Sequence, residues 1–506
     1  MSQAGIPSSV VSTVTHAVPS AFIAGLTAGP HPGRRAQRHR RTPRLFHQGT
    51  RRTRRHSTSQ EYGLPGVAVG VWAGGQETYA CHGVTSVDNP LPVDERTLFV
   101  LGSVSKTYTA TVLMRLVAEG RVELDAPVRR YVPELVLPDE QAAAGITVLN
   151  LLNHTAGLDW RMNVDTGEGD DALAAYVAKM SESQPIAPPG ARASYSQMAF
   201  NLAGRIVEKV TGLTYEQAVT SVLFEPLGLS DTSFAANDVM TRRFAVGHTV
   251  GEDGTPTVAR KWKDTRANNP GGGGASSVAD LLRWARFHLG EGRAQDGTRV
   301  LPAEALRQMR HQTVELHGST LGDAFGICWF LRDVDGVRTV GHGGSTNGRF
   351  AELLLVPEHD FAVVALSNAG PDGGLAFNRA ALRWALEHHL GLVERDPEPL
   401  PFDETRAREV AGTYENDVMA LTIAADGAGL TIACGIKPEI RAAADTELPA
   451  DLPPADLGLL PGNGDEYIVT SGGLTGQRGF FTRDDTGTIT GADLAGRHFT
   501  RAPADR

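Results

Sequence analysis

Ser103 and Lys106 stand three residues apart in the run Leu101-Gly102-Ser103-Val104-Ser105-Lys106-Thr107. On a helix that spacing puts a hydroxyl and an amine on one face, one turn apart. A serine hydroxyl is a weak nucleophile until a neighbouring base takes its proton, so the chemistry on offer is acyl transfer through a covalent intermediate. Leu101-Gly102 reads as the tight entry to a helix from about Val104 to Glu119. That helix stops at Gly120 and has Val112, Leu113, Leu116 and Val117 as its buried stripe. Ser103 then lies at a helix N-terminus, where free N–H groups favour developing negative charge. The same spacing also arises by chance, and serine is an ordinary helix cap, so the pair needs partners.

Two sets of partners follow in the chain. Tyr195-Ser196-Gln197 places a phenol at a loop-to-helix junction, just before a helix starting near Met198. His342-Gly343-Gly344 sits on or beside a strand that begins at Arg338 and runs into a flexible Ser345-Thr346-Asn347-Gly348. Between them, the segment from Ile146 to Leu158 reads as a helix entering a tight turn. Its Asn153-His154-Thr155 is read as structural, with buried polar groups that tie the turn.

The elements that must position these residues fall into two blocks. Strands are expected over 66–72 and 77–81, then again over 324–332, 338–341, 349–356 and 361–368, followed by a long helix over 374–390. Between the two groups, 124–269 is helical and loop-like, with helices over 148–152, 170–180, 198–211 and 215–224, and another begins at Leu281. This pattern predicts an α+β fold in which an antiparallel sheet flanked by helices carries an inserted all-helical subdomain. Beyond Pro397, Pro399 and Pro401, short strand-like pieces separated by Gly, Asp and Asn predict a small antiparallel barrel or sandwich. The expected domains are a disordered Arg-rich tail (1–60), the main body (61–396) and the small β domain (402–506).

With these motifs in order, the chain resembles the serine β-lactamase and penicillin-binding-protein superfamily, in its class C β-lactamase, D-aminopeptidase and family VIII esterase branch. The resemblance rests on LGSVSKT, on LLNHTAGL, on the Tyr195-Ser196-Gln197 triplet and on His342-x-Gly344 in place of a K-T-G strand, and it covers about residues 64–390. It implies Ser103 as nucleophile, Lys106 with a lowered pKa sharing its proton with Tyr195, and Tyr195 as base toward Ser103 or acid toward the leaving group. His342 would hold Tyr195 or a substrate carboxylate by hydrogen bonding. The backbone N–H groups of Ser103 and Ser345, beside Gly344, would form the oxyanion hole, and Gln197 would bind a substrate amide. Two departures shift the expectation away from penicillin destruction: Gln197 stands where the family usually has Asn, and His342 where many relatives have Lys. The last domain is similar to the lipocalin-like barrel that some D-aminopeptidase relatives and nonribosomal-peptide thioesterases carry, where it helps shape the cleft.

Composition sets the remaining bounds. The formal charge of −10 conceals ten arginines between Arg34 and Arg55, in a stretch of sixty residues without Asp, Glu or Lys. The rest of the chain is therefore strongly acidic and should repel nucleic acid. Cys81, Cys328 and Cys434 are too few and too scattered for a disulfide framework or a zinc set. The pair His388-His389 beside Glu387 reads as a solvated helix end, so neither metal nor cofactor is expected. The apolar segment 8–29 is followed, not preceded, by basic residues and is too polar and short to span a membrane, so a cytoplasmic protein without membrane partners is expected. The expected function is a serine hydrolase or acyltransferase acting through a Ser103 acyl-enzyme on D-residue-containing peptides, amides or small esters. One alternative is a penicillin-binding-protein-type thioesterase that cyclises or releases a nonribosomal peptide from a carrier-protein-bound thioester. Another is a non-catalytic binding protein that keeps the fold.

Overall fold

The computed structural model describes residues 62–503 apart from 161–163, 252, 371, 443–450, 452 and 463, so the Arg-rich tail lies outside the described residues. The chain opens on a hairpin of β1 (Gly66–Ala73) and β2 (Gln76–Gly83). A 3-10 turn over Gly102–Ser105 then carries Ser103 into α1 (Lys106–Ala118). The helical part follows with α2 (Val148–Leu152), α3 (Ala172–Lys179), α4 (Gln197–Thr211) and α5 (Val278–Leu289). Strands return as β3 (Val314–Ser319), β4 (Gly322–Phe325), β5 (Phe330–Val334), β6 (Val337–Thr346), β7 (Arg349–Val356) and β8 (Phe361–Ser367), and α6 (Asp372–Leu390) closes the unit.

These eight strands form one sheet in the order β2-β1-β8-β7-β6-β5-β4-β3. The first hairpin joins the late strands through the antiparallel pairing of β1 with β8, with Val69 opposite Ala365, so the helical block is inserted between the two halves of the sheet. β8 is buried at every position, as a strand packed on both faces requires, with α5 on one side and α6 on the other.

α1 is not the one-sided helix its apolar stripe suggests. Every residue from Lys106 to Met114 is buried, because α1 is enclosed by other helices, with α4 against it and Trp284 of α5 on Thr107 and Tyr108. Its threonines survive burial by bonding to carbonyls: Thr107 Oγ1 donates to Val104 O (2.7 Å), Thr109 Oγ1 to Pro270 O (2.6 Å) and Thr111 Oγ1 to Thr107 O (2.7 Å).

Two further expectations are corrected. The single strand expected over 324–332 is two strands, broken where Cys328 adopts a left-handed conformation (φ 72°) and its N–H bonds to Leu152 O. The segment expected to be flexible after Gly344 is ordered strand through Thr346, paired to β7, and only Asn347-Gly348 turn the hairpin.

Beyond the proline-rich connection, β9 (Gly412–Glu415), β10 (Met419–Ala425), β11 (Leu430–Ile436), β12 (Ala455–Leu459), β13 (Glu466–Val469), β14 (Arg478–Arg483), β15 (Ile489–Leu494) and β16 (Arg497–Arg501) close in sequential order. The closed eight-stranded barrel has its own apolar centre, with Tyr414, Ile432, Tyr467 and Phe499 buried. No helix among the described residues is long and apolar enough to cross a membrane.

Candidate active site

Ser103 and Lys106 meet as their spacing predicts. Lys106 Nζ lies 3.2 Å from Ser103 Oγ and donates also to Gly271 O at 2.7 Å and to the side-chain oxygen of Gln197. Lys106 is fully buried, and the loss of water around its ammonium pulls its pKa well below that of a free lysine. A lysine in that state can stand as a neutral amine beside the hydroxyl it must deprotonate.

Tyr195 closes the third side. Its phenol lies beside Ser103, and burial pushes its pKa above that of a free tyrosine, with the Ser103 hydroxyl acting in the other direction. Lys106 Nζ does not face the phenol oxygen but sits over the ring, 4.9 Å from its centre. Before acylation Ser103 Oγ therefore stands between the amine and the phenol, either of which can take its proton.

The approach of β6 to the Ser103 turn depends on two glycines. A Cβ on Gly344 would lie 2.1 Å from Leu101 O and 2.7 Å from Ser103 N, and one on Gly102 would lie 2.6 Å from Ser345 N. Gly102 also takes a left-handed conformation (φ 53°) that side chains resist. Glycine at both positions thus lets the amides of Ser103 and Ser345 crowd together, as an oxyanion hole needs.

Two residues expected to meet substrate are engaged elsewhere. Gln197 is buried, its oxygen taken by Lys106 and its NH2 donating to the side chain of Asn268, so it braces the lysine. His342 faces the cleft, but its Nδ1 donates to Gly343 O (2.7 Å), and burial aided by Lys106 draws its pKa down to about 3. It is a neutral ring stacked on Phe330, with a bare Nε2 that has no partner. A bare nitrogen accepts hydrogen bonds, so it does not supply the positive charge that a carboxylate would seek.

The cation comes from the barrel, and the sequence reading missed it. The β15–β16 hairpin turns at Ala495 and Gly496, both at positive φ, and sends Arg497 against the site. Its guanidinium lies 5.1 Å from the Tyr195 ring centre and 4.7 Å from that of Trp160. It donates to Ala495 O, leaves Nε without a partner, and has no carboxylate at ion-pair distance among the described residues. Ser103, Tyr195, His342, Ser345, Ala495 and Arg497 all line one cavity of about 270 Å3. The only sequence signal for Arg497 was its place in the terminal strand of the second domain, with no motif around it. Among the described residues no group of His, Cys, Asp and Glu is arranged to hold a metal ion, and the three cysteines are free.

A sheet and helical block that enclose a serine, a buried lysine and a tyrosine define a serine acyl-transfer enzyme. Residues 44–388 match the family model described as Beta-lactamase. The chain is 35% identical to Penicillin-binding protein 4 of Amycolatopsis lactamdurans over 71% of its own length and 94% of that protein's. Among solved structures, the class C beta lactamase from Rhodobacter sphaeroides superposes with a TM-score of 0.53 at 26% identity, over 64% of this chain and 95% of that one. SurE superposes with a TM-score of 0.69 at 23% identity, over 88% of this chain and 96% of that one, and so shares the fold with the barrel included. The chain belongs to the β-lactamase family and is a serine hydrolase of the penicillin-binding-protein type.

Proposed function

We propose that the protein transfers the acyl group of D-residue-containing peptides, amides or small esters through a Ser103 acyl-enzyme, and that its preferred substrates carry a carboxylate. The observation that carries this reading is Arg497, a permanently charged side chain without a carboxylate partner, set into the same cavity as Ser103. SurE, whose fold the chain shares, has also been solved with D-Leu, so a fold of this construction accommodates a D-amino acid.

Neutral Lys106 takes the proton as Ser103 Oγ bonds to the substrate carbonyl carbon. The oxygen that becomes negative lies toward the Ser103 and Ser345 amides. The proton then held by Lys106 is delivered to the leaving atom, with the Tyr195 phenol beside it as donor, as the bond from carbonyl carbon to leaving group breaks. Water then attacks the acyl-enzyme, with the same groups relaying its proton. An amine in place of water would give ring closure or aminolysis, which is the outcome expected of a carrier-bound thioester substrate.

The reading is tested with paired nitrophenyl esters, neutral or carboxylate-bearing and D or L, alongside a penicillin and a D-alanyl thioester. The wild type is expected to favour the carboxylate-bearing D ester, and Arg497→Gln to erase that preference. Equal turnover of charged and neutral esters by the wild type would refute the carboxylate assignment. Turnover of the thioester alone, with a cyclic product, would move the assignment to the thioesterase.

A further inference from the structure

His154, in the turn that follows α2, was expected to be structural, yet its placement is tied to the phenol. It is buried and holds a left-handed backbone conformation (φ 61°) that few residues other than Gly adopt, His being, with Asn and Asp, among those that do so more readily. Its carbonyl accepts the Ser194 N–H at 2.8 Å and its ring Nδ1 accepts the Ser196 N–H at 3.1 Å, so it takes the amide protons on both sides of Tyr195. The N–H between them, that of Tyr195 itself, goes to Gly496 O of the barrel hairpin at 2.7 Å. The His154 ring also lies against the Tyr195 ring, with centres 4.4 Å apart and planes 33° apart, and is backed by Phe200 and Phe325.

We propose that His154 is a positioning residue for Tyr195, acting through the hydrogen bond from Ser196 N–H to its Nδ1, which fixes the rotation of the tyrosine backbone and so the aim of the phenol at Ser103. The proposal rests on the acyl-enzyme reading of the site. For Nδ1 to accept, the ring must be neutral with its proton on Nε2. Burial, with the nearby Lys106, His342 and Arg497, holds its pKa well below the ordinary histidine value and secures that state. The requirement for an acceptor in a left-handed turn also explains why a histidine is used where a purely apolar plug would fill the space.

Two substitutions separate the hydrogen bond from the packing. His154→Phe keeps a ring against Tyr195 but has no acceptor, whereas His154→Asn loses the ring but offers an amide oxygen at the Nδ1 position and tolerates the backbone angle. Acylation by a nitrophenyl ester is followed by its burst, folding by thermal midpoint, and the Ser196 amide by hydrogen exchange of peptides spanning 193–198. His154→Phe is expected to lose about 100-fold in acylation rate with the dissociation constant of the ester within twofold, on the scale of a misplaced acid–base group, and to expose the 193–198 amides to exchange. His154→Asn is expected to stay within fivefold of wild type and to keep those amides protected. A folded His154→Phe with wild-type acylation and protection would overturn the proposal, and so would a folded His154→Asn no better than His154→Phe. Should a fluorophosphonate leave no adduct on Ser103 of the wild type, the acyl-enzyme reading fails, while the exchange comparison still decides whether His154 holds the Tyr195 segment.

Discussion

Two cations approach the ring of Tyr195, one from the floor of the cleft and one from the barrel, and they are built for opposite tasks. Lys106 is sealed from water and anchored on Gly271 O and the Gln197 oxygen, which leaves its lone pair for the Ser103 proton when it is neutral. Arg497 keeps some surface exposure but buries an unpartnered Nε, and although burial draws its pKa below that of a free arginine, the basicity of a guanidinium keeps it charged. The floor therefore supplies the base and the barrel supplies the fixed charge. Burial lowers the pKa of both groups, so the difference teaches that the choice of amine or guanidinium separates proton transfer from charge recognition, even within about 5 Å of the same ring.

The contrast is broken most severely at Lys106. Lys106→Arg places a fixed charge there that cannot accept the Ser103 proton, so acylation should fall about 1,000-fold, as far as with Lys106→Met, in a single-turnover assay. Retention of activity in Lys106→Arg would show that charge, not proton transfer, is what the floor supplies. Next in size is Gly344→Ala, whose methyl would meet Leu101 O and Ser103 N. Overpacking of this kind costs about 1–3 kcal/mol, and here the backbone that must yield is that of the nucleophile. A fall in thermal midpoint together with at least tenfold slower acylation is expected.

The barrel side is sharpened by Arg497→Gln. Losing one charge-assisted hydrogen bond is worth about 1.5–3 kcal/mol, so KM for a carboxylate-bearing ester should rise roughly 10- to 100-fold while a neutral ester is little affected. Both esters slowed equally, through kcat, would mean that Arg497 serves Tyr195 and not the substrate. The smallest effect concerns pH and stability. His342 is held at about pKa 3 against an ordinary value near 6.5, so the unfolded chain binds a proton that the folded one refuses between those values. Stability should be fully present above about pH 6.5 and decline as pH falls toward 3. The slope of thermal midpoint against pH should be shallower in His342→Gln.

The sequence revealed the floor far better than the barrel side, for a physical reason. Ser103 and Lys106 are joined by helical spacing, and the surrounding β-strands are continuous apolar runs such as Phe361–Ser367, so local pattern carried both. The residues that came together across long separations left no such trace. Arg497 reaches Tyr195 only because a closed barrel presents its β15–β16 hairpin to the helical block, and nothing near Arg497 in the chain encodes that docking. The strands Ala455–Leu459 and Glu466–Val469 carry little pattern of their own, being only five and four residues long. They were supplied by barrel closure. Gln197 was read as facing substrate because its position follows a motif. Its inward turn toward Lys106 and Asn268 depends on a loop some seventy residues later.

The central claim, that Ser103 is the acyl-carrying nucleophile of this cleft, is tested most directly by intact mass and peptide mapping after exposure to a fluorophosphonate and a carboxylate-bearing D-residue ester. One adduct per chain, mapped to Ser103 and absent from Ser103→Ala, is predicted. An adduct on another residue, or labelling that persists in Ser103→Ala, would contradict it.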